Sequence, residues 1–243
     1  MYNANEVNAN SLLAQVAVIE SSSVNLILAS NSPRRKQLLA LTGLNFIVSV
    51  ADVDESQHEN ESPADYVLRL AEKKARAINA DADSVILASD TTVVDGSNIL
   101  GKPKNDAEAV QMLTQLRGRT HQVYTGAALL RVSDNLLLTE LGVTDVPMRN
   151  YSNEEIRAYV ATGDPLDKAG SYAIQHPEFS PVASMAGCYA SVMGLPLCHV
   201  TRMLRKMDIQ PNTDVPLQCQ KLLEYDCPVY ESILNDPSLR GTK

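Results

Sequence analysis

The feature that most constrains this chain is an apolar run that stops on a helix start. Val24-Asn25-Leu26-Ile27-Leu28-Ala29 suits a short buried strand. Ser30-Asn31-Ser32-Pro33 breaks it, and residues 34–41 then carry helical spacing closed by Gly43. Ser32 can cap an orphan N–H of the first turn, and Pro33 at the first helical position has no N–H to lose. Strand, tight turn and helix follow one another within twenty residues.

The same alternation continues. An apolar piece at residues 44–50 ends in Asp52, Asp54 and Glu55, and Ser62-Pro63 repeats the cap-plus-proline opening. After it, Val67, Leu70, Ala71, Lys74, Ala75 and Ile78 share one helix face. Val85-Ile86-Leu87-Ala88-Ser89 predicts a second buried strand ending at Asp90, and Asp95-Gly96-Ser97-Asn98 a hairpin turn between Val93-Val94 and Ile99-Leu100. A helix is expected at 107–116, two antiparallel strands at 121–132 and 136–143, a capping-box helix from Ser152, and a closing helix at 195–207. Residues 164–194 read as loop-rich. The class implied is α/β, or mixed α+β. Residues 1–24 read as an N-terminal extension, 25–207 as one domain, and 208–243 as a C-terminal tail in which only 217–225 suggests a short helix.

Charge narrows the function classes. With 21 Lys and Arg against 29 Asp and Glu, the formal net charge is −8. Long nucleic acids and anionic membranes are bound through a basic surface field, so neither is an expected partner. A small anion held in a local basic pocket remains open. No apolar run approaches the roughly 18 residues of a membrane helix. The four cysteines, Cys188, Cys198, Cys219 and Cys227, show no zinc spacing and read as reduced thiols. No Lys or Arg precedes Arg34, so the charged start of a secretory signal is missing. A cytoplasmic location is expected.

Three clusters could carry chemistry. The turn from Ser30 to Arg35 adds hydroxyls and two guanidiniums to a helix N-terminus, where free N–H groups and the helix dipole favour anions. Arg34 and Arg35 could equally be solvated, with Ser32 acting only as a cap. Asp90 ends a buried strand, where ligands of α/β sheets bind, and Lys102 follows between Gly101 and Pro103. A turn aspartate and a surface lysine would give the same pattern. The third cluster, Asp167-Lys168-Ala169-Gly170-Ser171-Tyr172-Ala173-Ile174-Gln175, ends in an amide able to read a nucleobase edge. Asp52, Asp54 and Glu55 could hold Mg²⁺ or Mn²⁺ or form a solvated turn. Among the histidines, His121 could approach a cleft, while His199 reads as structural.

Taken in order, residues 30–35, Asp52-Val53-Asp54-Glu55, Lys73-Lys74-Ala75, Ser89-Asp90-Thr91, Gly101-Lys102-Pro103, Asp167-Lys168-Ala169-Gly170 and Gly194-Leu195-Pro196-Leu197 resemble the Maf family over residues 25–207. The resemblance implies a two-lobed mixed α/β fold with a central cleft, similar to the inosine triphosphate pyrophosphatases and commonly homodimeric. It implies hydrolysis of a nucleoside triphosphate to monophosphate and pyrophosphate, with a divalent cation, Mg²⁺ or Mn²⁺. On this reading Asp90 is the catalytic carboxylate, and Glu55 joins it at the metal. Ser30, Arg34, Arg35, Lys74, Lys102, Lys168 and Gln175 then bind substrate, and the basic residues converge on one cleft. The string from Asp167 to Gln175 is similar to members acting on dTTP and UTP, but His176-Pro177 follows where those members usually have Gly, and Cys188-Tyr189-Ala190-Ser191 also departs from their pattern. The alternative is a nucleotide-binding regulator of cell division with little or no catalysis.

Overall fold

The computed structural model describes residues 24–50, 52–238 and 240–242. The apolar stretch at residues 12–19 and the rest of the expected N-terminal extension up to residue 23 lie outside them. Among the described residues seven strands form one sheet, in the order β2-β1-β3-β5-β6-β7 with β4 paired to β3. The strands are β1 (Asn25–Leu28), β2 (Phe46–Val48), β3 (Ser84–Asp95), β4 (Asn98–Leu100), β5 (Thr120–Arg131), β6 (Leu136–Pro147) and β7 (Arg240–Thr242). β1 lies parallel to both β2 and β3, whereas β3, β5, β6 and β7 run antiparallel. The α/β class is therefore the one observed.

Among the described residues eight α-helices accompany the sheet: α1 (Pro33–Ala40), α2 (Pro63–Arg76), α3 (Asp106–Leu116), α4 (Asn153–Ala161), α5 (Tyr189–Val192), α6 (Leu197–Lys206), α7 (Val215–Leu223) and α8 (Tyr230–Asn235). Their starts follow the local chemistry. Ser32 and Ser62 accept the backbone N–H groups of Arg35 and Asp65, each with proline next in sequence. Ser152 and Glu155 form a reciprocal capping box.

The sheet is covered on both faces, and strand alternation sorts the side chains. Leu26 and Leu28 of β1, with Val85 and Leu87 of β3, join one core with α1, α3, α4 and α6. Ile27 and Ala29, with Ile86 and Ala88, join the other beneath Ala71 and Ala75 of α2 and Ile78 just past its end. Gly126 of β5 lets α2 settle on the sheet, because a Cβ there would lie 2.5 Å from the Val67 carbonyl oxygen.

Two expectations are corrected. β3 does not end at Asp90 but runs to Asp95, because Thr91, Thr92, Val93 and Val94 keep pairing with β5 and then with β4. The segment after residue 208 is more ordered than its composition predicts. Asn212 N–H donates to the Thr42 carbonyl at 2.8 Å, and residues 215–223 and 230–235 are helical. Arg202 of α6 grips Glu140 of β6 with both ends of its fork, at 2.7 and 2.6 Å, and also donates to the carbonyls of Ile233 and Asp236.

His121 and His199 are buried, and burial lowers the pKa of each from 6.5 to about 4. An unfolded chain takes up protons on these rings below about pH 6.5, while the folded one resists until about pH 4. Stability should therefore fall as pH drops through that window, by on the order of 2 to 3 kcal/mol per histidine. Urea unfolding at pH 7 and pH 4.5 measures it, and His121→Asn should flatten the slope. Gly126→Ala should cost on the order of 1 to 3 kcal/mol by overpacking under α2, read from the same melts.

Candidate active site

The site arises because β1 stops and β3 does not. The last β1 pairing is Leu28 with Leu87, and one further bond joins Ala29 N–H to the Leu87 carbonyl. Beyond that point β3 has no parallel neighbour on this side, and a cavity of about 1010 Å³ opens there. This is near the upper end of ordinary ligand pockets. Ser30, Arg34, Arg35, Glu55, Lys74, Asp90, Lys102, Lys168 and Gln175 all line it. The structure thus brings together these nine residues, while Asp52, Asp54 and His121, also named from the sequence, lie outside the cavity.

Each arrives for a local reason. Asp90 falls on the same face of β3 as Ile86 and Ala88, the face covered by α2. Lys74 lies one or two turns along α2 from Val67, Leu70 and Ala71, on the buried stripe. Its ammonium donates to Asp90 Oδ1 at 2.6 Å and stands 2.6 Å from Glu55 Oε1. One cation therefore holds two carboxylates. Burial works against ionisation of Glu55, but Lys74, with Lys102 and Arg35 more weakly, outweighs it and lowers the pKa below the usual carboxylate range.

Arg35 is positioned differently. Its fork donates to the Gly194 carbonyl at 2.8 Å, to Thr91 Oγ1 at 3.3 Å and to Ser30 Oγ at 3.4 Å. All three acceptors are neutral, so they aim the guanidinium without discharging it. Burial lowers its pKa, Asp90 and Glu55 raise it, and Arg34 adds repulsion. An arginine nonetheless stays cationic. The side chains of Arg34 and Lys102 make no ion pair or hydrogen bond among the described residues.

Lys168 is placed otherwise than expected of a phosphate clamp. Its ammonium donates to the Asp164 carbonyl at 2.6 Å, to Asp164 Oδ1 at 2.9 Å and to Asp167 Oδ1 at 2.6 Å. All three donors are committed to its own loop. The five basic residues do converge on one cleft, as expected. Five cations line the cavity, but Glu55, Asp90, Asp164 and Asp167 line it too. Charge is sorted within the pocket more than summed.

Asp52 and Asp54 do not line the cavity; Asp54 instead caps the Ser56 N–H at 3.0 Å. His121 stays outside it, its Nε2 paired with the Tyr172 hydroxyl at 2.8 Å. Burial pushes the Cys188 thiol up to about 12 and Cys219 to about 11, so neither is a nucleophile at neutral pH. Residue-level reading of the sequence missed Gly194, Thr91, Tyr66 and Asp164. Gly194 adopts φ +105° and presents its carbonyl to both Arg35 and Ser89. Its signal was a glycine just before a Leu-Pro helix start. Asp164 stands four residues before Lys168, a spacing at which ion pairs commonly form.

A family model described as Maf-like protein matches residues 25–207, and the chain belongs to that family. Among similar proteins, a dTTP/UTP pyrophosphatase of Desulforamulus reducens is 43% identical over 186 residues, covering 76% of this chain and 97% of its own. Proteins of the same name from Chlorobium phaeovibrioides and Symbiobacterium thermophilum are 46% and 47% identical, covering 75% and 74% of this chain and 96% and 92% of their own. A solved HAM1 protein from Coxiella burnetii aligns with 53% of this chain and 74% of its own at 18% identity, with a TM-score of 0.36, too low to bear on the argument.

If Lys74 is what keeps Glu55 ionised, Lys74→Met should raise the Glu55 pKa toward or above 4.5. A carboxyl-carbon NMR titration reads this directly. An unchanged Glu55 would mean that the contact is not made in solution.

Proposed function

We propose that this chain is a nucleoside triphosphate pyrophosphatase that cleaves the α–β anhydride of uracil or thymine nucleotides, or of modified relatives, giving the monophosphate and pyrophosphate. One observation carries the reading: a carboxylate pair bridged by a single ammonium shares a cavity with Arg34, Arg35 and Lys102, which have no carboxylate partner among the described residues. Sequence identity of 43% to 47% to proteins named dTTP/UTP pyrophosphatase supports it.

The chemistry assigns the roles. The oxygen of a water attacks the α-phosphorus, the bond to the bridging oxygen breaks, and its electron pair leaves with pyrophosphate. Asp90, buried at the cavity wall, orients that water and takes its proton. Arg35 and Lys102 neutralise the phosphate oxygens and the leaving group, and Arg34 adds charge at the helix start. Ser30 offers a hydroxyl beside them. Lys168 fixes the opposite loop, and Gln175, exposed in the cavity and without a hydrogen-bond partner among the described residues, faces the base.

Asp90 and Glu55 also fit a divalent cation. Two hard carboxylate oxygens already converge on one positive charge, and Mg²⁺ is commonly held by one or two carboxylates plus substrate phosphates. The chemistry such an ion supplies when bound is charge neutralisation on the phosphates and acidification of a coordinated water. The homodimer implied by the resemblance, and the cytoplasmic location expected from the cysteines and the missing basic start, belong to the same reading. Four free thiols fit a reducing compartment, and light scattering would read a dimer as twice 26.4 kDa.

A panel of nucleoside triphosphates with Mg²⁺ or Mn²⁺, following pyrophosphate and orthophosphate separately, should give pyrophosphate with UTP and dTTP. Orthophosphate alone would place the cut elsewhere. Asp90→Asn should lower kcat by about a thousandfold, in line with loss of a general base and charged ligand, while nucleotide binding by calorimetry persists. A regulator without catalysis would release no pyrophosphate before or after the change.

A further inference from the structure

His176 lines the cavity next to Gln175, and the mechanism above makes no use of it. Its ring is held on two sides. The Phe179 backbone N–H donates to Nδ1 at 3.0 Å. The ring meets Tyr159 edge to face with centroids 4.7 Å apart, and Tyr159 stacks on Phe179 at 4.3 Å. Tyr159 is fixed in turn, donating to Asp164 Oδ2 at 2.6 Å and accepting from the Ala173 N–H at 2.9 Å. A ring nitrogen that accepts carries no proton, so the proton of this imidazole sits on Nε2. The backbone thereby sets the tautomer, and Nε2–H is a fixed donor. Residues 173–176 form a turn closed by His176 N–H to the Ala173 carbonyl at 3.2 Å. Unlike neighbours on a strand, Gln175 and His176 can therefore serve one cavity together.

The charges of the two walls say which part of a nucleotide each faces. Arg35 acts electrostatically on Asp90 and Glu55, and Lys102 on Glu55, at the β3 wall. On the His176 wall Asp164 and Asp167 consume Lys168, Asp164 lies within electrostatic reach of His176, and Arg34, which reaches Arg35 as well as Tyr159, stands between the two walls. A triphosphate is drawn to Arg35 and Lys102 at the first wall, which leaves the Gln175 amide and the His176 Nε2–H at the second for the base.

Uracil and thymine present an acceptor, a donor and an acceptor along O4, N3–H and O2. The Gln175 amide complements N3–H and one carbonyl. We propose that His176 Nε2–H donates to O4, making His176, with Gln175, a specificity-determining residue that selects imide-edged bases over cytosine. The proposal rests on the pyrophosphatase reading. A donor aimed at O4 meets an amino group in cytosine, and the amide, left with two acceptors to face, cannot satisfy both by flipping. A donor aimed at O2 would leave the amide free to flip and would not discriminate.

His176→Phe keeps the ring against Tyr159 and removes the donor; His176→Gln restores a donor at similar reach. Pyrophosphate release gives kcat/KM for UTP, dTTP and CTP. His176→Phe should lower UTP and dTTP about three- to tenfold, the range of one hydrogen bond, and spare CTP, with His176→Gln recovering most of the loss. An equal loss on all three nucleotides, or no loss, would overturn the proposal. The unaltered protein provides a test that does not depend on a variant folding. UTP should be used at least severalfold better than CTP, because the Gln175 amide alone could flip to serve either base. Equal use of the two would overturn it. Absence of pyrophosphate from every nucleotide with the unaltered protein would instead overturn the pyrophosphatase reading.

Discussion

The site depends on a mismatch in strand length. β1 ends its pairing at Leu28, while β3 continues from Leu87 to Asp95. Had the two ended together, Asp90 would lie beneath a backbone ladder with no room for a ligand. Because β1 turns away into α1, the turn brings Ser30, Arg34 and Arg35 over the exposed part of β3. The same backbone event removes one neighbour and supplies the cations that replace it. Opposite Asp90, Gly126 clears the space under α2. Lys74 is thereby held at the carboxylates by packing as well as by charge.

Burial makes those charges consequential. A surface ion pair is worth little, because water and salt screen it. Lys74 and Asp90 are largely shielded from solvent, and removing Lys74 would strand Asp90 at a cost far above that of a surface pair. Arg35 follows the opposite design. It is held by a carbonyl and two hydroxyls, which fix direction and leave its charge available. The pocket thus contains a centre in which one ammonium answers two carboxylates, and beside it cations whose charge is left available.

Much of this was legible in the sequence, and unevenly so. Helix starts could be read because Ser32-Pro33, Ser62-Pro63 and Ser152 to Glu155 act over three or four residues, and all three caps are formed. Lys74 was visible as a charge on an apolar stripe. The end of β3 was misread because Asp90 resembles a terminus, while cross-strand pairing with β5 carries the strand through it. The role of Lys168 was out of reach of the motif alone, since it turns on a partner, Asp164, outside the quoted string. Gly194 acts through a carbonyl, which every residue has, and only its backbone angle makes it particular. The helix at residues 230–235 had no periodic signal because its partner is Arg202, a tertiary contact.

The lengths of the strands carry one more implication. β3, β5 and β6 each run for twelve residues, yet the outermost strands, β2 and β7, have three each. Long ladders of unpaired amides are what foreign strands add to. Here β5 is paired along its length on both sides, whereas β6, among the described residues, has a strand on its outer side only at Leu137, Leu138 and Thr139. The flank of β6 beyond Thr139 is therefore the longer of the two open edges, and β3, which carries the chemistry, keeps β5 between itself and that edge.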